Sequence, residues 1–197
     1  MPALPKVILF DMDGTITQPM LDFPRIKRDM GIGQRPILEA LAEMDEHARQ
    51  IAQSILHRHE EEAAANSILN PGCKEILAWL NRHQIEVAVI TRNSRASVKT
   101  VCERHGLHFE VLITREDGKF KPDPAPLLEA CQRLNVEKNH AWMVGDGQYD
   151  VEAGLAAAIR TVWLSHGRPK PFAADPWRAV QDLHELTALL QDCLNQR

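Results

Sequence analysis

The sequence predicts an α/β fold, a Rossmann-like doubly wound parallel sheet core with a small α-helical cap inserted after the first strand. Three observations carry this. Val7, Ile8, Leu9 and Phe10 form an unbroken apolar run, the mark of a strand buried on both faces. After Asn70-Pro71-Gly72, short apolar runs alternate with stretches of helical length, which implies right-handed crossovers and a parallel sheet. Between these, residues from about Asp22 to Asn70 have no strand pattern. The core is therefore expected to comprise residues 1–16 and 71–197, with residues 17–70 as the insertion.

The elements follow in order. A short helix from Phe23 to Met30 tolerates Pro24 near its start and ends at a turn flanked by Gly31 and Gly33. Ile37, Leu41, Met44, Ala48, Ile51 and Ile55 then recur at steps of four and three as an apolar seam. Asp45 is a candidate N-cap that divides this stretch into two helices, the second running to Ala65. On it, Glu60, Glu61 and Glu62 read as a solvated face, and His57 and His59 as surface residues. Helices over 71–83, 94–105, 126–134 and 150–158 alternate with strands over 87–90, 111–113, 141–144 and 161–164. Asp182 caps a last amphipathic helix through Leu183, Leu186, Leu189 and Leu190.

Composition narrows the function classes. A chain of 197 residues suits one well-packed core plus an accessory. Hydrophobic residues at 44% and charged residues at 25% place it among globular proteins rather than disordered ones. A net charge of -4 with no sustained basic block argues against nucleic acid as the main partner. Cys73, Cys102, Cys131 and Cys193 form no CxxC pair, so neither a zinc site nor a disulfide framework is expected, and a reducing cytoplasm is the simplest location. The opening MPALPKVILFD is too short in apolar residues for a signal peptide, and no segment reaches bilayer length, so no membrane association is expected.

Chemistry-bearing residues stand at the strand ends. The first strand stops at Asp11-Met12-Asp13-Gly14, where open α/β sheets place their ligands. Alone, that stretch also fits an Asp-Gly turn or part of a calcium loop. Val87 to Ile90 ends in Thr91-Arg92-Asn93, and Ala141 to Val144 ends in Gly145-Asp146-Gly147-Gln148-Tyr149-Asp150. Between them, Pro122 and Pro124 fix the backbone so that Lys121 stands at a helix entrance. Singly, Thr91 reads as a helix cap, Lys121 as a surface lysine and Gly145 to Asp150 as a turn. Jointly, Asp-x-Asp, Thr, Lys and Gly-Asp-x-x-x-Asp at successive ends of one sheet form a constellation.

That constellation resembles the haloacid dehalogenase-like hydrolase superfamily, whose four motifs match DMDGT at 11–15, Thr91, Lys121 and GDGQYD at 145–150. The likeness covers almost the whole chain, and the insertion resembles the small helical cap of the branch containing phosphoglycolate phosphatase and β-phosphoglucomutase. Gly147 stands where that branch often has serine. The resemblance implies a magnesium-dependent phosphatase acting on a small phosphorylated metabolite. Asp11 is then the nucleophile that forms an aspartyl-phosphate, and Asp13 the acid and base. Asp11, the carbonyl of Asp13 and Asp146 are expected to hold Mg2+, with Asp150 as a direct, water-mediated or orienting partner. Met12 and Asp13 through their backbone N–H groups, together with Thr91, Arg92, Asn93 and Lys121, are expected at the phosphate.

Within the family, Asp13 favours phosphate esters over carbon–halogen or carbon–phosphorus bonds, because only an alkoxide leaving group needs a proton donor. A phosphosugar mutase needs the same aspartate, and a non-catalytic phospholigand-binding module is the alternative of another class. Selectivity is expected in the insertion, whose cations Arg25, Lys27, Arg28 and Arg35 also read as solvated helix residues.

Overall fold

The computed structural model describes residues 3–195; Met1, Pro2, Gln196 and Arg197, which fall within the expected core and opening segment, lie outside the described residues. Six strands, β1 (Val7–Phe10), β2 (Glu86–Ile90), β3 (Val111–Ile113), β4 (Ala141–Gly145), β5 (Arg160–Leu164) and β6 (Arg178–Val180), form one sheet. Its order is β3-β2-β1-β4-β5-β6. Every pairing is parallel, with Val7 opposite both Glu86 and Ala141. The chain leaves β1 to build one half of the sheet and returns beside β1 to build the other. The switch point lies between β1 and β4, where such sheets open a crevice at the carboxyl ends of their strands.

Alternate side chains of the central strands go to opposite faces. Ile8, Phe10, Trp142 and Val144 pack with helices α4 (Cys73–Arg82) and α8 (Leu183–Leu194). Val7, Leu9, Ala141 and Met143 pack with α6 (Ala125–Arg133) and α7 (Gln148–Ala157). All four residues of β1 are fully buried, as expected of a strand without polar alternation. The expected cap at Asp182 is present, accepting two N–H groups at the start of α8, while at the start of α5 (Arg95–His105) the cap is Ser94, which accepts the Ser97 N–H, rather than Thr91.

Three helices lie between β1 and α4: α1 (Phe23–Asp29), α2 (Ile37–Glu43) and α3 (Glu46–Ala65). Asp45 caps α3 by accepting the Ala48 N–H at 2.9 Å, which separates α3 from α2. The three share an apolar cluster of their own, formed by Ile26, Met30, Ile32, Ile37, Leu41 and Leu56 among others. The buried face of α3 differs from the expected seam. Ala52, Leu56, Glu60 and Ala64 are buried at steps of four, while Ile51 is 52% exposed. The reason is that α3 passes from the helical cluster to the sheet, where Ala64 packs with Met12, Val89, Val98 and Val101.

Two charged residues of α3 need the same correction. Glu60 is buried, 3% exposed, because both its oxygens meet the guanidinium of Arg115 beyond β3. His59 faces Asp29 of α1 at 2.9 Å and ties the two helices together. β6 has no counterpart in the sequence reading: two of its three residues are exposed, and it is a strand by pairing with β5. No helix among the described residues is long and apolar enough to cross a membrane. All four cysteines are free thiols.

Candidate active site

The loop after β1 is fastened before any ligand is considered. Asp11 donates its N–H to the Val144 carbonyl at 2.9 Å, so the first aspartate is locked to β4. Asn70, at the end of the insertion, donates its side-chain amide to the carbonyls of Gly14, Thr15 and Thr17 at 3.1, 2.8 and 3.0 Å. Gly14 adopts φ +83, and a Cβ there would lie 2.5 Å from the Asp146 carboxylate, so only glycine lets the two loops approach this closely.

Lys121 is the electrostatic centre. It is 2% exposed, and its ammonium donates to Asp11 Oδ1 at 2.7 Å, Asp150 Oδ1 at 2.6 Å and the Ile90 carbonyl at 2.5 Å. These acceptors match its three protons. Burial by itself favours the neutral amine, but Asp11 and Asp150 outweigh it and raise the Lys121 pKa. Asp150 also accepts the Gly147 N–H on its other oxygen at 3.0 Å. A Cβ on Gly145 would fall 2.2 Å from the Asp150 carboxyl carbon, so the acidic loop is closed as tightly as the first.

The other carboxyl groups sit in contrasting settings. Burial raises Asp11 well above the usual carboxylate range; Lys121 opposes this, while Asp150, Asp13 and Asp146 add to it. Asp13 is pushed up to about 6, first by burial, with the Asn93 amide opposing and the charge of Glu60 adding. That amide donates to Asp13 Oδ2 at 2.9 Å. Asp146 is raised by burial and by Asp150, against a hydrogen bond from Arg168 at 3.2 Å. One oxygen from each of Asp11, Asp146 and Asp150 lies within 4.8 Å of the others. An all-oxygen set with excess negative charge suits a hard divalent cation.

Asp11, Asp13, Thr91, Arg92, Asn93, Lys121, Asp146 and Asp150 line one cavity of about 410 Å³. Met12 does not: its side chain is buried with Val89 and Val98, which leaves only its backbone at the loop. The opposite wall comes from the helices, with Leu21, Phe23, Lys27, Ile37, Leu56 and Glu60. Thr91, 3% exposed, accepts the Asn93 N–H at 3.0 Å. Arg92 is bound to Glu39 of α2 through both carboxylate oxygens, at 3.0 and 2.9 Å. Arg25, Arg28 and Arg35 do not line the cavity.

Sequence reasoning missed several residues that shape this site. Asn70 was legible only as turn punctuation, and Glu39, Glu60 and Arg115 carried no signal, because their partners lie in other elements. Trp163 and His166 were missed likewise: the Trp163 indole donates to the Asp146 carbonyl at 2.9 Å, and His166 meets the Gly14 carbonyl at 2.7 Å.

A parallel sheet with a carboxylate- and lysine-bearing cavity at its switch point defines an α/β enzyme with an acidic centre. The model of one family, described as haloacid dehalogenase-like hydrolase, matches residues 21–164. A haloacid dehalogenase-like hydrolase domain-containing protein of Arabidopsis thaliana is 30% identical over 83% of this chain and 73% of its own length. The phosphoglycolate phosphatase of Pseudomonas fluorescens is 27% identical over 97% of this chain and 80% of its own. A hydrolase of Pseudomonas syringae, of known structure, superposes with a TM-score of 0.82 at 18% identity, covering 95% of this chain and 98% of that one. The chain belongs to the haloacid dehalogenase-like hydrolase family.

Proposed function

We propose that this protein is a magnesium-dependent phosphatase that hydrolyses a small phosphomonoester through an aspartyl-phosphate on Asp11. The observation that carries the reading is the contrast between two carboxyl groups on one cavity wall. Asp11 accepts a hydrogen bond from a buried ammonium at 2.7 Å, which favours its anion against the pull of burial, whereas Asp13 accepts one from the neutral Asn93 amide at 2.9 Å and is pushed up to about 6. A nucleophile works as the anion and a proton donor as the acid, and a charged donor on one carboxyl with a neutral donor on the other serves that division.

Asp11 attacks phosphorus as the ester oxygen departs with its bonding pair and takes the Asp13 proton. Asp13, now a carboxylate, removes a proton from a water that attacks the same phosphorus. The bond to Asp11 breaks, releasing inorganic phosphate and restoring both residues. Lys121 offsets charge on the nucleophile, Thr91 and the N–H groups of Met12 and Asp13 bind phosphate oxygens, and Asn93 aims Asp13. Asp150 holds Lys121 in place. Asp11, the Asp13 carbonyl and Asp146 would hold Mg2+, which would supply neutralisation of charge at the phosphate oxygens.

Residues 17–70 serve as a cap over the cavity, a reading supported by their separate apolar cluster and by the cavity wall they supply. The four free thiols support a reducing, cytoplasmic setting. The test is phosphate release from a panel of small phosphomonoesters, with and without Mg2+. Asp11→Asn is expected to lower turnover by roughly 10⁴-fold or more while melting like the wild type. Retained hydrolysis in that variant, or none in the wild type, would refute the reading.

A further inference from the structure

We propose that the substrate is the phosphate ester of a small uncharged alcohol, and that Glu39 sets this preference by cancelling the charge of Arg92. The inference rests on the phosphatase reading and concerns the part of the substrate beyond the phosphorus.

Arg92 follows Thr91 directly and lines the cavity, so it is the arginine placed to meet a second anionic group on a substrate. Two of its three nitrogens are already engaged. Nη2 donates to both oxygens of Glu39, Nη1 donates to the Lys121 carbonyl, and its two neighbours are the rings of Phe120 and Tyr149, with centroids 4.7 and 4.2 Å away. A guanidinium offers five N–H donors, and here one nitrogen spans both carboxylate oxygens, a charge-assisted contact that sets a full negative charge against the cation. Glu39 is itself outside the cavity lining, so it neutralises Arg92 from behind without offering its own oxygens to a ligand.

The same holds on the other side. Glu60 lines the cavity, but both its oxygens are held by Arg115. Leu21, Phe23, Pro36, Ile37, Leu38 and Leu56 make the rest of the helical wall apolar. Lys27 is the remaining cation there, half-exposed and 3.3 Å from the Gln34 carbonyl. A carboxylate on the leaving group would have to shed water against an apolar wall with its natural arginine partner taken. A hydroxyl loses far less hydration there than a carboxylate, and a hydrocarbon group gains from the contact.

The experiment compares two esters of matched size, 2-hydroxyethyl phosphate and 2-phosphoglycolate, with p-nitrophenyl phosphate as a general reporter, all in Mg2+. The wild type is expected to favour 2-hydroxyethyl phosphate by tenfold or more in kcat/KM. Glu39→Gln unmasks the Arg92 charge and is expected to move the ratio at least tenfold towards 2-phosphoglycolate. Because the readout is a ratio within one protein, a general loss of activity in the variant cannot imitate it. Lys27→Met is expected to leave the ratio unchanged. A wild type that prefers 2-phosphoglycolate, a ratio unmoved in Glu39→Gln, or one that collapses in Lys27→Met would overturn the proposal. Hydrolysis of none of the three esters would instead overturn the phosphatase reading.

Discussion

On the sheet side of the cavity, Lys121 gives its ammonium to two carboxylates and a carbonyl and is 2% exposed; on the helical side, Lys27 reaches one carbonyl, at 3.3 Å. The two walls follow that contrast throughout. Polar groups at the strand ends are tied to each other by short hydrogen bonds, while the helices contribute mainly side chains of Leu, Ile, Phe and Pro, with their acids paired to arginines of the core. Charge that must act on a ligand has to be oriented in advance, since dipoles that reorganise during reaction lose their advantage. A wall that selects by shape and by exclusion of charge needs only a packed apolar surface. The same molecule thus shows preorganisation on one side of a cavity and permissive packing on the other.

The strongest way to break this contrast is to remove the cation at its centre. Lys121→Met leaves Asp11 and Asp150 facing each other without compensation, and breaking a buried ion pair costs about 3–5 kcal/mol at neutral pH. The folded-state pKa of Asp11, already raised by burial, then rises further, so the native state binds more protons there than the unfolded chain. Stability is expected to recover as pH falls towards that raised range and to decline as pH rises through it. Thermal melts of both proteins from pH 5 to 8 in a chelator check the sign; a deficit that is constant with pH would contradict it.

A smaller effect is expected where the two walls are joined. Asn70→Ala strips hydrogen bonds from three buried carbonyls of the Gly14–Thr17 loop, a loss of about 2–3 kcal/mol in denaturant unfolding. The helical wall sharpens the comparison by its own internal difference. Leu56→Ala removes a fully packed side chain and is expected to cost about 2–4 kcal/mol, with KM affected more than kcat because the side chain lines the cavity away from the reacting groups. Ile51→Ser, one turn before it and 52% exposed, is expected to stay within about 0.5 kcal/mol of the wild type. Equal losses at the two positions would return Ile51 to the buried seam.

The separation of Ile51 from Leu56 is also a lesson in what periodicity can resolve. Ile37 and Leu41 are buried as their spacing suggests, and Ile55 packs partly buried against the same cluster, but Ile51, in the same rhythm of threes and fours, is exposed. The cap at Asp45 resets the phase, and the new face runs through Ala52, Leu56, Glu60 and Ala64. A run of three glutamates looks solvated by every local criterion. Glu60 departs from it because Arg115, distant in sequence, is carried over it by the strand order.

The sequence by itself determined the burial of the central strands, the helix caps at Asp45 and Asp182, which strand ends carry Asp11, Asp13, Thr91 and Asp146, and the helix entrance that carries Lys121. These rest on sterics and hydrogen bonds between residues a few positions apart, so they are written contiguously. Only the tertiary structure decided that Glu39 meets Arg92 across 53 residues, that Glu60 meets Arg115 across 55, and that residues 178–180 become a strand. In each case the energy comes from a partner in another element. A charged side chain, or a short polar segment, has no local pattern that records which partner packing will bring to it.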